Sequence, residues 1–187
     1  MGVLLIEHDI DRVFEFADSI TVMADGAVLA EGSADDVQAN TRVQEVYLGS
    51  GRAVVAERAS HTHPDAVQAP LLTLEGVNTY YGKSHILYDV SLEVRAGEVT
   101  ALLGRNGAGK SSTVKTIMGL APPASGTVRF AGEVISGRPP EHIARAGVGL
   151  VPQGRRLFSG LTVAENLRLG ALSRRRAGGV HWDEERI

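Results

Sequence analysis

The chain has 187 residues, 43% of them hydrophobic and 22% charged, a globular balance that excludes a disordered chain. With no cysteine, it excludes a disulfide scaffold, a thiolate zinc site and cysteine nucleophile chemistry. The net charge of −3 is unevenly split: residues 1–49 carry ten acids and two bases, residues 50–187 twelve acids and seventeen bases. That asymmetry predicts two units of different origin, and with only 5% aromatics it argues against a nucleic-acid surface.

The chain opens with Val3-Leu4-Leu5-Ile6, a short continuous apolar run of the kind a buried parallel strand requires. Asp9 is placed to cap a helix whose Ile10, Val13, Phe14 and Ala17 fall on one face. Ile20–Met23 and Ala27–Ala30 read as strands joined by a hairpin turn at Asp25-Gly26. Ser33 with Asp36 starts a short helix, and Val43–Leu48 forms another before Gly49.

Residues 50–69 have no sustained period and are rich in Ser, His, Pro and Ala, which predicts a linker between a 1–49 unit and a 70–187 unit. His61 and His63 offer two metal legs without nearby partners, so they read as solvated linker residues. Forty-nine residues are marginal as an independent fold, and alone Val3–Ile6 would lack neighbouring strands.

In the second unit Leu71–Val77, Val90–Val94 and Glu98–Leu103 read as strands, and Lys110–Leu120 as a helix stopped by Pro122-Pro123. Thr127–Ala131 is a further strand, Pro140–Ala146 a short helix, Val148–Val151 a buried strand, and Thr162–Ala171 a helix with Thr162 and Glu165 in capping-box spacing. The apolar runs are far shorter than the ~20 residues of a membrane helix. The acids Glu7, Asp9 and Asp11 stand where a secretory signal would be apolar, so the chain reads as cytosolic in type.

Gly104-Arg105-Asn106-Gly107-Ala108-Gly109-Lys110-Ser111 is a full G-x-x-x-x-G-K-S match, with a predicted strand before it and a helix after it. Its glycines permit backbone angles that turn successive N–H groups toward phosphate oxygens, and the helix start adds its positive end. Lys110 supplies a cation to the outer phosphates, and Ser111 supplies a hydroxyl for Mg²⁺; Ser112 extends the site into the first helical turn. The pattern defines a nucleotide-phosphate site in an α/β P-loop NTPase fold, with a mixed sheet around the loop. By itself it does not distinguish a transport ATPase from a small-molecule kinase.

Further residues resemble the ATP-binding cassette (ABC) ATPases. Tyr81-Gly82 looks like the adenine-stacking aromatic position, with Tyr80 beside it as the alternative inward-facing ring. Val151-Pro152-Gln153 looks like the Q-loop, which implies that Gln153 touches Mg²⁺ and the attacking water and senses a membrane partner. Arg155-Arg156 lie close to that docking loop. GVNTYYGKSHIL and VPQGRRLFSGLTVAENL resemble one of the two ATP-binding subunits of branched-chain amino-acid importers. VLLIEHDIDRVFEFADSITVMADGAVLAEG and VQEVYLG resemble the C-terminal end of the other, making His8 the switch histidine that contacts the terminal phosphate. Glu7 ending an apolar strand also imitates a Walker B acid, although His8-Asp9 fits the switch strand better.

This resemblance implies ATP and Mg²⁺ as ligands, permease subunits and a second ATP-binding domain as partners, and a peripheral position on the inner face of the cell membrane. The LSGGQ-type signature and the Walker B Asp-Glu are not found, Leu157-Phe158-Ser159-Gly160 being an imperfect match. The expectation is an incomplete fold: the tail of one ATPase joined to the head of another, inactive alone. The rival readings are a fragment that binds ATP without hydrolysing it and a P-loop kinase.

Overall fold

The computed structural model describes residues 1–8, 10–48, 69–152 and 158–172. The chain divides into two compact units, Met1–Ile143 and Ala144–Ile187. The expected linker, both of its histidines, Asp9, Gln153 and Arg155-Arg156 lie outside the described residues, apart from the linker's last position.

The first unit holds two four-stranded sheets. One runs in the order β1 (Val3–Glu7), β6 (Val99–Gly104), β2 (Ser19–Ala24), β3 (Ala27–Gly32). Both β1 and β2 are parallel to β6 and flank it, while β3 turns back antiparallel to β2, so the sheet is mixed as the sequence predicts. Val3 is paired with Val99 and Glu7 with Leu103, so the only described partner of Val3–Glu7 in this sheet lies outside residues 1–49, in keeping with the expectation that this strand has no neighbour within its own stretch. The strand preceding the phosphate loop supplies the missing partner. Asp18 fixes the start of β6 from the other side: its carboxylate accepts from the Val99 N–H at 2.7 Å, and its own N–H donates to the Val99 carbonyl at 2.9 Å.

Side-chain alternation along these strands builds a core that both segments share. Val13, Phe14 and Ala17, on or just after helix α1 (Ile10–Phe16), pack with Ile20, Val22, Ala101 and Leu103 on one face of the sheet. The same cluster includes Ala34 and Val37 of helix α2 (Ala34–Ala39) and Val43 of the short turn α3 (Thr41–Val43). The alternate positions Met23 and Gly104 look to the opposite face, where the Thr113 hydroxyl of helix α4 (Lys110–Ile117) meets the Met23 sulfur at 3.5 Å. Coverage on both faces explains why β6 reads as a continuous apolar run, whereas β1, expected as a buried strand, is an edge strand that is only partly buried.

Local signals hold where they were strongest. Asp25 and Gly26 both have positive φ, 48° and 81°, as a two-residue hairpin turn requires. Ser33 and Asp36 form a reciprocal capping box. Val43–Leu48, expected as one helix, is divided between α3 and a π-helical turn over Gln44–Leu48.

The second sheet is antiparallel, in the order β5 (Ser84–Val94), β4 (Leu72–Tyr81), β7 (Ser125–Phe130), β8 (Glu133–Val134). Strands β4 and β5 are longer than their periodicity suggests, because register breaks between Leu74 and Tyr80 interrupt the alternation. Helix α5 spans Pro140–Ala146 as expected.

In the second unit Val148–Val151 forms no strand, and Val151 is 95% exposed. A buried-strand reading needs a neighbour to take the backbone hydrogen bonds, and no described strand pairs with this run. Helix α6 spans Val163–Leu172. Its capping box is present: Thr162 N–H donates to Glu165 Oε2 at 2.8 Å, and Glu165 N–H donates to Thr162 Oγ1 at 3.3 Å.

Candidate nucleotide-binding site

The chain leaves β6 at Gly104, crosses the exposed residues Arg105, Asn106 and Gly107, and enters α4 through the buried residues Ala108, Gly109 and Lys110. Gly107 and Gly109 have φ values of 87° and 105°, in the region that glycine enters without penalty. At Gly104 the constraint is space instead, since a Cβ there would lie 2.9 Å from the Met23 carbonyl oxygen. No side chain caps the first turn of α4, so its leading N–H groups belong to the mouth of the loop.

Lys110 is 8% exposed. Its Nζ donates to the carbonyl oxygens of Gly104 at 2.5 Å and Arg105 at 3.0 Å, which wraps the loop around the ammonium. Burial pulls this lysine below its ordinary range, and the Glu7 carboxylate opposes that shift. Glu7 stands at the end of β1 opposite Leu103, one residue before the loop begins. His8 follows at the same end of the sheet. Its side chain is 76% exposed and its Nδ1 lies 3.5 Å from Glu7 Oε2. The resemblance implies different parent domains for His8 and Lys110, and the fold brings both to the same sheet end.

Ser111 is exposed at the start of α4 and Ser112 is partly buried beside it. One hydroxyl at this position suits Mg²⁺, which keeps several waters and takes one or two protein ligands alongside phosphate oxygens. Among the described residues no group of three or more His, Asp or Glu side chains converges on a metal position. The exposed Ser111 hydroxyl is the donor that fits such a metal.

The two neighbouring tyrosines have different partners. Tyr81 lies near α4, with Lys115 Nζ 5.8 Å from its ring centre, and the Thr79 hydroxyl meets that of Thr116 on the same helix at 3.0 Å. Tyr80 stacks on His85, with ring centres 4.2 Å apart. Both tyrosines are more than 40% exposed, so neither is a core aromatic.

Sequence reasoning missed the tip of the β2–β3 hairpin. The Gly26 N–H donates to the Ala108 carbonyl at 3.1 Å, inside the phosphate loop. Asp25-Gly26 announces a turn, but nothing local to it announces what that turn touches.

With the geometry established, comparison with known proteins narrows the class. The ABC transporter family profile matches residues 87–187, and a profile described as branched-chain amino acid ATP-binding cassette transporter matches residues 27–53. The chain belongs to the ABC transporter family. It is 49% identical over 100 residues to the high-affinity branched-chain amino acid transport ATP-binding protein BraG of Pseudomonas aeruginosa, covering 54% of this chain and 43% of that protein. It is 35% identical over 191 residues to the ribose import ATP-binding protein RbsA 1 of Rubrobacter xylanophilus, covering all of this chain and 36% of that protein. A solved ATP-binding subunit of an ABC transporter superposes with a TM-score of 0.52 at 36% identity, over 57% of this chain and 44% of that one. The chain thus spans less than half the length of these curated relatives, and its fold is that of part of an ABC-type P-loop NTPase cassette.

Proposed function

We propose that this chain is the ATP-binding, energy-coupling part of an importer for branched-chain amino acids. In this reading residues 1–49 are the C-terminal piece of one ATP-binding domain, 50–69 the connection, and 70–187 the N-terminal part of a second. The observation that carries the reading is the loop itself: left-handed Gly107 and Gly109 leading into an uncapped helix, closed around the Lys110 ammonium. The relation to BraG and the match over residues 27–53 support the substrate class. Ribose importers compete for it, since RbsA 1 aligns with the whole chain. That continuous alignment also supports tail and head as neighbours in one longer polypeptide.

Each residue then has a physical task. Tyr81 offers its exposed face to adenine, and Gly104, Arg105, Asn106, Gly107, Ala108 and Gly109 turn backbone N–H groups toward the phosphates. Lys110 exchanges its loop carbonyls for outer phosphate oxygens. Bound Mg²⁺ would neutralise phosphate charge, with the Ser111 hydroxyl and the Gln153 carboxamide as its protein ligands. Ser112 supports the first helical turn, and His8 would steady the terminal phosphate. Such a site works by positioning and electrostatics, without covalent chemistry. A second ATP-binding domain would supply the signature motif, and hydrolysis would drive permease subunits at the inner face of the membrane. The exposed side chains of Phe158, Val163, Leu167 and Leu169 are apolar surface of the kind a partner covers.

Calorimetric titration of the chain with MgATP tests the site: saturable binding that is lost in Lys110→Ala is expected, and no saturable binding in the folded wild type overturns it. Uptake of labelled leucine and ribose in cells carrying the wild type or Lys110→Ala tests the substrate. Loss of leucine uptake alone is expected, and loss of ribose uptake alone transfers the assignment to sugars.

A further inference from the structure

A loop rich in glycine has few side chains with which to lock itself, yet phosphate recognition through N–H groups needs a fixed backbone shape. The lock comes from behind, at the tip of the β2–β3 hairpin. Besides the hydrogen bond from Gly26 N–H to Ala108, the Thr113 hydroxyl, which donates to the Gly109 carbonyl of the loop at 3.1 Å, lies 3.5 Å from the Met23 sulfur. A Cβ on Gly109 would lie 3.2 Å from both the Gly26 Cα and the Met23 Cε, so loop and hairpin are packed as closely as backbone allows.

The same turn is held on its far side. The Gly26 carbonyl accepts from the Tyr88 N–H of β5 at 2.8 Å, and a Cβ on Gly26 would overlap the Ile86 carbonyl oxygen. Strand β5 pairs with β4, which carries Tyr81. Residue 26 therefore connects the phosphate loop, through its N–H, to the sheet bearing the ring proposed to stack on adenine, through its carbonyl.

We infer that Met23 and Gly26 are positioning residues for the nucleotide, holding the phosphate loop in its cradling shape and fixing its spacing from Tyr81. The 1–48 segment is then a working part of the phosphate site. This rests on the nucleotide reading above, and the experiment separates the two.

MgATP affinity and melting midpoint are measured on the full 187-residue chain and on Met23→Leu, Gly26→Ala and Val37→Ala. Met23→Leu conserves volume but removes the sulfur contact. Val37 is buried in the α1–α2 core, on the opposite face of the sheet from α4. Met23→Leu is expected to raise Kd about three- to tenfold with the midpoint nearly unchanged, and Gly26→Ala to raise it further. Val37→Ala should lower the midpoint and leave Kd alone. A folded Met23→Leu with wild-type affinity overturns the inference, as does a Val37→Ala whose affinity falls equally, and Met23→Leu decides the matter if Gly26→Ala does not fold. A folded wild type that binds no MgATP overturns the nucleotide reading itself, before any variant is compared.

Discussion

The Lys110 ammonium donates to the carbonyl oxygen of Gly104, six residues earlier in its own loop, at 2.5 Å. The charge that phosphate would attract is thus already satisfied, with Arg105 as a second acceptor. Binding must exchange these carbonyls for phosphate oxygens, and the charge-assisted bonds gained are the stronger ones. Lys110→Ala is expected to weaken MgATP binding by at least about tenfold. Because Gly104 is buried, the change should also cost about 1 kcal/mol of stability for the donor removed. Titration and chemical unfolding of the same preparation check both.

The glycines of the loop should respond differently to alanine. At Gly107 the added Cβ meets nothing within 4 Å, so only the positive φ opposes it, at about 1–2 kcal/mol. At Gly109 the same strain is joined by contacts at 3.0–3.2 Å with Leu87, Gly26 and Met23. Thermal unfolding should rank the variants with Gly107→Ala closest to wild type and Gly109→Ala well below it.

Tyr81 is exposed and its ring carries little of the core. Tyr81→Ala is therefore expected to leave the melting midpoint within about 0.5 kcal/mol equivalent while weakening ATP by about tenfold or more through lost stacking. Tyr81→Phe should keep most of the affinity, and Tyr80→Ala should leave it unchanged. Fluorescence titration of the three variants tests the choice between the adjacent rings.

Glu31 on β3 is solvent-exposed along part of its side chain yet partly desolvated near Glu93 on β5. Burial first, and the neighbouring charge second, raise its carboxyl above the ordinary range. An acid raised on folding holds its proton more tightly in the native state, so its stability contribution is full at low pH and is lost as pH rises through the native value. Glu31→Gln should stabilise the protein at neutral pH, by less than about 1 kcal/mol given solvent screening, and make no difference near pH 4. Urea midpoints across that range measure the divergence.

Much of this was readable from sequence because its causes are local. The phosphate loop, the Asp25-Gly26 hairpin, both capping boxes and the Pro140–Ala146 helix each depend on residues a few positions apart. What could not be read is pairing. Nothing in Val3–Ile6 says that its neighbour is Val99–Leu102, since register is set by a partner's pattern and by the faces that become buried. Val148–Val151 has a strand's composition, yet its hydrogen-bond groups meet no described strand. The role of Gly26 was hidden for the same reason: its partners, Ala108 and Tyr88, come from two distant stretches of chain.

The interleaving of β1 and β2 around β6 also sets a timetable for synthesis. The partner of Val3 is Val99 and that of Ser19 is Thr100. At about 5–20 residues per second, on the order of ten seconds of translation separate each strand from the one it needs. Through that interval the apolar faces of Val13, Phe14, Ile20 and Val22 await Ala101 and Leu103. Synthesised as these 187 residues, the chain is a natural client for a holding chaperone, and slowing its translation should increase aggregation rather than relieve it.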